Sequence, residues 1–266
     1  MGRKDIKCKF EKGTLSGRKS YKKDIMFRVE RIIRGKKGNI AILKGIIHRI
    51  EADSPIEDLE VIDKWIVEEN IKKLTNRLQE RLQRYNKQKR TIKEYYGKIL
   101  HLDGDKKYSE KSAQYYKKLG LNAIVRNIPE NRQASVISEL LTRHKPDIVV
   151  ITGHDAMIKN GSNYNDIYNY RNSKYFINTV LEARRWEEKN KHEIAIFAGA
   201  CQSFFEAIIT SGANFASSPS RILIDFIDPL IVAEKIATTD EYKYLTIGEI
   251  VPELRDGLNG VGGIRK

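Results

Sequence analysis

The sequence predicts an α/β protein whose mostly parallel sheet is flanked by helices and preceded by a small β-rich unit and a long charged helical segment. Three observations predict it. Two short apolar, β-branched runs, 147–155 carrying His154 and 194–203 carrying Cys201, have the composition of strands buried on both faces. From Lys98 onward, strand-like and helix-like segments alternate, as in successive βαβ units. Residues 1–98 carry 27 Lys or Arg against 14 Asp or Glu, and the other 168 carry 22 against 21, so charge and pattern change together near residue 98.

Taken in order, residues 1–53 read as a small antiparallel β-barrel or meander. The partly alternating stretch 24–33, the turn 34–39 and the run 39–50 supply strand, turn and strand. His48, between Ile47 and Arg49, reads as an ordinary strand residue, and Cys8, between two lysines, as a surface thiol. Ser54-Pro55-Ile56-Glu57 has the signature of a helix start, with serine as N-cap, proline at the first helical position and acids in the first turn. No Pro or Gly follows until Gly97, and Ile71, Leu74, Leu78, Leu82 and Tyr85 recur at three- and four-residue steps. Residues 54–97 are therefore one long helix or a helical hairpin whose narrow apolar stripe packs on a domain or a partner helix. Its basic tract Arg81–Lys93 offers an alternative contact for an acidic partner.

Residues 98–266 form the α/β domain. Strands are expected at 98–105, 122–126, 147–154, 194–200 and 213–216, and helices at 109–119, 130–144, 174–188, 204–211 and 228–236. A Tyr- and Asn-rich loop covers 162–171, and 217–221 is a small-residue loop. The glycine-rich end from Asp256 lacks a helical period and reads as a flexible or processed tail.

Composition excludes several classes. No run of eighteen apolar residues is present and Met1–Lys7 lacks the apolar block of a signal peptide, so a soluble, non-exported protein is expected. Two distant cysteines do not make a disulfide framework, which leaves Cys201 free in a reducing compartment. Neither Gly-rich phosphate loops nor paired metal-ligand spacings occur, so no cofactor and no metal are implied. The basic first 98 residues keep a second class open: a nucleic-acid or scaffold-binding protein with a structural α/β domain.

The chemistry converges on two strand ends. Parallel strands lying side by side would bring His154 and Cys201 together beyond their carboxyl ends, as a thiol nucleophile and its base require. A following helix would present N–H groups to Cys201 and favour its thiolate. The backbone amides of Cys201 and Asp155 could form an oxyanion hole, giving acyl transfer to water. Histidine preceding cysteine by about 50 residues is the caspase-type order, the reverse of papain.

At these residues the chain resembles the YabG-type sporulation cysteine proteases, placed with the caspase-like (clan CD) peptidases. The resemblance rests on Arg18-Lys-Ser-Tyr21, His101-Leu-Asp-Gly-Asp105, Pro146-Asp-Ile-Val-Val-Ile-Thr-Gly-His-Asp-Ala156, Tyr170-Arg-Asn-Ser-Lys-Tyr-Phe176, Phe197-Ala-Gly-Ala-Cys-Gln-Ser203 and 212–221. It implies a caspase-like fold and a Cys201–His154 dyad that cleaves after basic residues, arginine above all. It also implies protein substrates, spore coat and related proteins, met in the mother-cell cytoplasm without a membrane. By the same analogy Asp103 and Asp105 supply the carboxylate for an arginine pocket, with Asp225 and Asp228 as alternatives, and the backbone at Ser217 and Ser218 pairs with extended substrate. Two residues depart from the wider caspase-like pattern: Asp155 follows the histidine where glycine is usual, and Gly199 stands two before the cysteine where many relatives carry an acid.

Overall fold

A computed structural model describes residues 10–36, 38–88, 97–158, 163–240, 243 and 245–263. Cys8, the basic tract beyond Gln88, and Arg265 with Lys266 lie outside them. The chain divides into two compact units: residues up to Ile47 with Glu51–Leu74, and His48–Ile50 with Thr75 onward.

The first unit is an antiparallel sheet in the order β4-β3-β2-β1-β5. Its strands are β1 (Leu15–Arg18), β2 (Phe27–Gly35), β3 (Gly38–Gly45), β4 (Glu51–Pro55) and β5 (Leu59–Val61). Alternate residues Phe27 and Val29 of β2 turn inward and meet Leu43 in a solvent-free core. The expected helix start at Ser54 is not one. Strand β4 runs to Pro55, a 3₁₀ turn covers Ile56–Asp58, and β5 pairs back onto β1. Asp58 decides this: its carboxylate accepts from the Ser20 amide at 2.8 Å, Ser20 Oγ at 2.7 Å and Ser54 Oγ at 3.2 Å. The capping residues close a strand-to-strand turn, and the sheet extends past residue 53 to Val61.

Helix α1 (Lys64–Gln88) follows, about 37 Å long at 1.5 Å per residue. Arg81 on its last turns is buried in the second unit. It bonds Tyr115 Oη at 2.8 Å and Glu234 at 3.0 Å and pairs with Glu253. The start of the basic tract is therefore neutralised internally.

The second unit contains a six-stranded sheet in the order β11-β10-β9-β8-β6-β7. The strands are β6 (Ile99–Asp103), β7 (Ala123–Asn127), β8 (Ile148–Thr152), β9 (Ala195–Ala198), β10 (Phe215–Ser217) and β11 (Val261–Gly263); all pair in parallel except β10 with β11. The flanking helices are α2 (Lys106–Leu119), α3 (Glu130–His144), α4 (Ser173–Asn190), α5 (Phe205–Thr210), α6 (Asp228–Thr238) and α7 (Ile247–Ile250). Leu100, Leu102, Val149, Ile151, Ile196 and Ala198 form one core with Ile137 and Leu141 of α3 and Phe176 and Val180 of α4. The intervening Ile99, Val150 and Phe197 are equally buried, so both faces are covered and the strands read as unbroken apolar runs.

The glycine-rich end is not loose throughout, because Val261–Gly263 closes the sheet as β11. Its glycines are required by close approach. A Cβ on Gly262 would lie 2.6 Å from the Phe205 ring and 3.0 Å from Pro219. Gly262→Ala should therefore destabilise the protein by about 1–3 kcal/mol, measured by urea unfolding; an unchanged midpoint would show that β11 is not packed as described.

Candidate active site

Strands β8 and β9 pair with Ile151 opposite Ala198, so His154 and Cys201, each three residues further on, leave the sheet on neighbouring strands. Both are fully buried. The strand order runs outward from β6 to β7 and returns to β8, which opens a crevice beyond the carboxyl ends of β6 and β8. Such reversals are where open α/β sheets hold ligands. Asp103 and Thr152 are paired at its rim.

That crevice is filled by Arg49, the middle residue of the 48–50 segment. Its side chain is wholly buried and Nη1 pairs with Asp103 Oδ2. Asp103 is itself held: Thr152 Oγ donates to Oδ2 at 2.9 Å and the Asp105 amide to Oδ1 at 2.8 Å. The guanidinium carbon lies 4.5 Å from the Tyr108 ring centroid and 5.5 Å from that of Phe226, so aromatic faces take the place of water around the cation. Burial opposes its charge, but the Asp103 carboxylate beside it outweighs burial and holds the arginine charged. The backbone of the same residue is held too. The Arg49 carbonyl oxygen accepts from the Asp155 amide at 3.1 Å and the Cys201 amide at 3.3 Å, the two amides expected of an oxyanion hole.

A second row of groups sets Asp103. His101 lies beneath it, fully buried, with Nε2 2.8 Å from Thr152 Oγ and Nδ1 3.1 Å from Tyr116 Oη. Burial, and secondarily Arg49, push its pKa well below the ordinary value, so the ring is neutral. Since Thr152 donates to Asp103, His101 must donate from Nε2 and accept from Tyr116 at Nδ1. The chain of donors ends on the carboxylate that faces Arg49.

The loops carrying His154 and Cys201 are tied together by the Asp155 side chain. Its carboxylate accepts from the Ala156 amide at 2.9 Å, the Asn172 amide at 2.8 Å, Ser203 Oγ at 2.9 Å and Ser173 Oγ. Asn172 also donates to the His154 carbonyl at 2.8 Å, and Glu130 accepts from the His154 amide at 2.8 Å. Glu130 lies where Gly104 and Gly153 leave room, since a Cβ on either would collide with its carboxylate. Those two glycines beside the strand ends were the only sequence signal for Glu130. His101 stood only as part of the motif shared with the family, with no role of its own, and Arg49 and Tyr108 gave no signal, because their importance arises from tertiary placement.

The other expected residues fall as follows. Asp105 caps α2, accepting from the Lys107 amide at 2.8 Å, and so positions the helix that carries Tyr108. Asp225 pairs with Arg77 at 2.7 Å, and Asp228 accepts from the Asp225 amide at 3.1 Å; neither faces Arg49 in an ion pair. Ser217 is paired with Val261, and the Ser218 amide donates to Gly260 at 2.7 Å, so this backbone is engaged by the chain itself. The anticipated lowering of the Cys201 pKa does not occur. Helix α5 begins only at Phe205 and has six residues, and burial pushes the thiol up to about 12 despite the opposing charge of Arg49. Among the described residues no cluster of three or more His, Cys, Asp or Glu is placed to hold a metal ion, and no helix is long and apolar enough to cross a membrane.

Comparison with known proteins gives the class. The model of the family described as YabG peptidase U57 matches residues 11–266. The sporulation-specific protease YabG of Bacillus subtilis (strain 168) is 38% identical over 274 residues, spanning 96% of this chain and 94% of its own. The protein is thus a protease, and proteins are its substrates. In particular, the chain belongs to the YabG peptidase family. Among solved structures, the receiver domain of the histidine kinase CKI1 from Arabidopsis thaliana, complexed with Mg2+, overlays 44% of this chain and 79% of its own at 15% identity. The TM-score is 0.30, too slight a likeness to bear on the fold.

Burial outweighs the four hydrogen bonds to Asp155, which favour its ionised form, and raises its pKa to about 7, while an unfolded chain releases that proton near 3.8. Between those values the native state binds more protons, so this group's contribution to stability falls as pH rises and is level above about 7. Relative to Asp155→Asn, the wild type should lose up to about 4 kcal/mol of stability between pH 4 and 7. Urea unfolding across that range measures the difference, and a flat one would contradict it.

Proposed function

We propose that this protease is a cysteine endopeptidase of caspase-like type that cleaves after arginine. One observation carries the reading: a complete arginyl residue is bound with its carbonyl oxygen on the amides of Asp155 and Cys201 and its guanidinium on Asp103. Those are the contacts a hydrolase makes with the residue on the acyl side of a scissile bond.

In this reading Cys201 Sγ attacks the carbonyl carbon after giving its proton to His154. The oxyanion develops between the two amides, His154 returns the proton to the leaving amine, and water hydrolyses the thioester with His154 as base. Asp103 selects arginine through charge, and Tyr108 and Phe226 select it through their flat faces. Asp105 holds the helix that supplies Tyr108. Ser217 and Ser218 form the wall beside the nucleophile, where Ser218 Oγ accepts from the Gln202 amide at 3.2 Å. Kinship with a sporulation-specific protease points to proteins processed during sporulation, spore coat proteins among them, within the mother cell.

A mixed peptide library incubated with wild type and with Cys201→Ala, then read by mass spectrometry, tests the proposal. Cuts after arginine by the wild type alone are expected. Asp103→Asn should lower kcat/KM on arginyl peptides about 30-fold or more, the loss of about 2 kcal/mol or more that follows removal of one partner from a buried charge pair. Cuts that persist in Cys201→Ala would remove the cysteine from the mechanism, and an unaltered arginine preference in Asp103→Asn would remove the pocket.

A further inference from the structure

The residue that fills the site belongs to the chain itself. His48–Ile50 lies in sequence between β3 and β4, yet Arg49 is held on three sides by the second unit. Asp103 takes the side chain, the Asp155 and Cys201 amides take the carbonyl oxygen, and a parallel bridge joins Ile50 to Asp155. The two residues on either side of the 49–50 peptide bond are thus both fixed, one on each side of the carbonyl that the amides hold. An arginine present only for packing needs its guanidinium satisfied. It does not need its carbonyl on two amides that leave the sheet beside a histidine and a cysteine. Arg49 Nε and Nη2 have no protein acceptor among the described residues, so the side chain is anchored through Nη1 alone.

We infer that the Arg49–Ile50 bond is the enzyme's own first substrate, cleaved in cis by Cys201, and that until this happens the 48–50 segment excludes other substrates. The inference rests on the cysteine endopeptidase reading above. Cys201 Sγ bonds to the Arg49 carbonyl carbon, the Arg49–Ile50 C–N bond breaks, and the Ile50 amine leaves with the proton held by His154. A water molecule then hydrolyses the Arg49 thioester, its proton passing to His154 and on to restore the thiol. One water is consumed, nothing is oxidised or reduced, and the products are residues 1–49 and 50–266. The buried thiol, with its pKa pushed up to about 12, makes this first turnover slow. Five residue pairs between β3 and β4 survive the cut, so the two pieces remain one particle under native conditions.

The test uses the full chain, purified as Cys201→Ala and as wild type under a reversible thiol block, then released with reductant. Intact mass under denaturing conditions is followed beside turnover of a fluorogenic arginyl peptide. The wild type should yield a fragment with Ile50 at its N-terminus, at a fractional rate independent of protein concentration, and peptide turnover should accelerate as the fragment accumulates. Cys201→Ala should stay whole. Arg49→Ala, checked for a native circular dichroism spectrum, should stay whole at this bond and turn over peptide without the lag. Steady peptide turnover by a wild type whose 49–50 bond remains intact would overturn the inference and leave the endopeptidase standing. Splitting whose fractional rate rises with protein concentration would also overturn it, as cleavage between molecules. If the wild type neither splits nor turns over arginyl peptide, and a peptide electrophile fails to label Cys201, the endopeptidase reading falls and takes the inference with it.

Discussion

A guanidinium with no exposure to solvent is the constraint around which the second unit is arranged. A buried charge is tolerated only when paired and hydrogen-bonded, and removing one partner of such a pair costs about 3–5 kcal/mol because the other is left uncompensated. Asp103 meets that requirement at the carboxyl end of β6, and its orientation comes from further inside. Tyr116, neutral His101 and Thr152 pass hydrogen bonds along the sheet to the carboxylate, and the Asp105 amide fixes its other oxygen. The pair contributes little net stability over an apolar replacement of equal volume. A fold that retains it therefore needs the pair for another reason, and the arginine-cleaving function proposed above supplies one.

The same occupancy governs Cys201, the proposed nucleophile. With Arg49 in place Cys201 is cut off from water, and burial raises its pKa instead of lowering it. Its amide is engaged by the Arg49 carbonyl, so in the proposed mechanism neither thiolate nor oxyanion hole is open to another substrate while Arg49 is in place. Departure of the 48–50 segment would rehydrate the thiol and free both amides at once. Accessibility of the site and reactivity of the cysteine are thus coupled through one residue.

Much of this was legible in the sequence, for reasons that can be named. The β-branched runs ending at Thr152 and Ala198 had the pattern expected of buried parallel strands, and their parallel pairing puts His154 and Cys201 at neighbouring ends. Asp103 was reached through family resemblance, since an aspartate at a strand end reads equally well as a turn residue. Helix α3 was read at its full extent because its apolar period and both ends agree locally. Ser54-Pro55 was misread because a cap signature describes any turn whose side chains satisfy backbone donors, and only Ser20, far away in sequence, decides which turn forms. The tail was misread because glycine signals freedom locally, whereas here Phe205 and Phe215 demand it. Arg49 could not have been found. Within Ile47-His-Arg-Ile50 it is one more polar residue in a strand-like run, and its hydrogen-bond partners are 54 to 152 residues further along the chain.

The two departures from the caspase-like pattern also acquire physical reasons. Gly199 has φ +111°, a conformation that strains any other residue, and a Cβ there would meet Ser217 at 3.2 Å and Ser203 at 3.4 Å. An acid at this position would need both a different backbone and a wider gap between β9 and β10. Asp155, where a glycine would leave the histidine loop free to move, binds four donors drawn from Ala156, Asn172, Ser173 and Ser203. Its side chain therefore holds its own amide in place against the Arg49 carbonyl. Ser203 extends the hold to the other donor, because its Oγ also accepts from the Ala200 amide at 2.9 Å, one residue before Cys201. One buried carboxylate fixes both halves of the amide pair, so replacing the glycine gives the site a rigidity that the sheet ends alone do not supply.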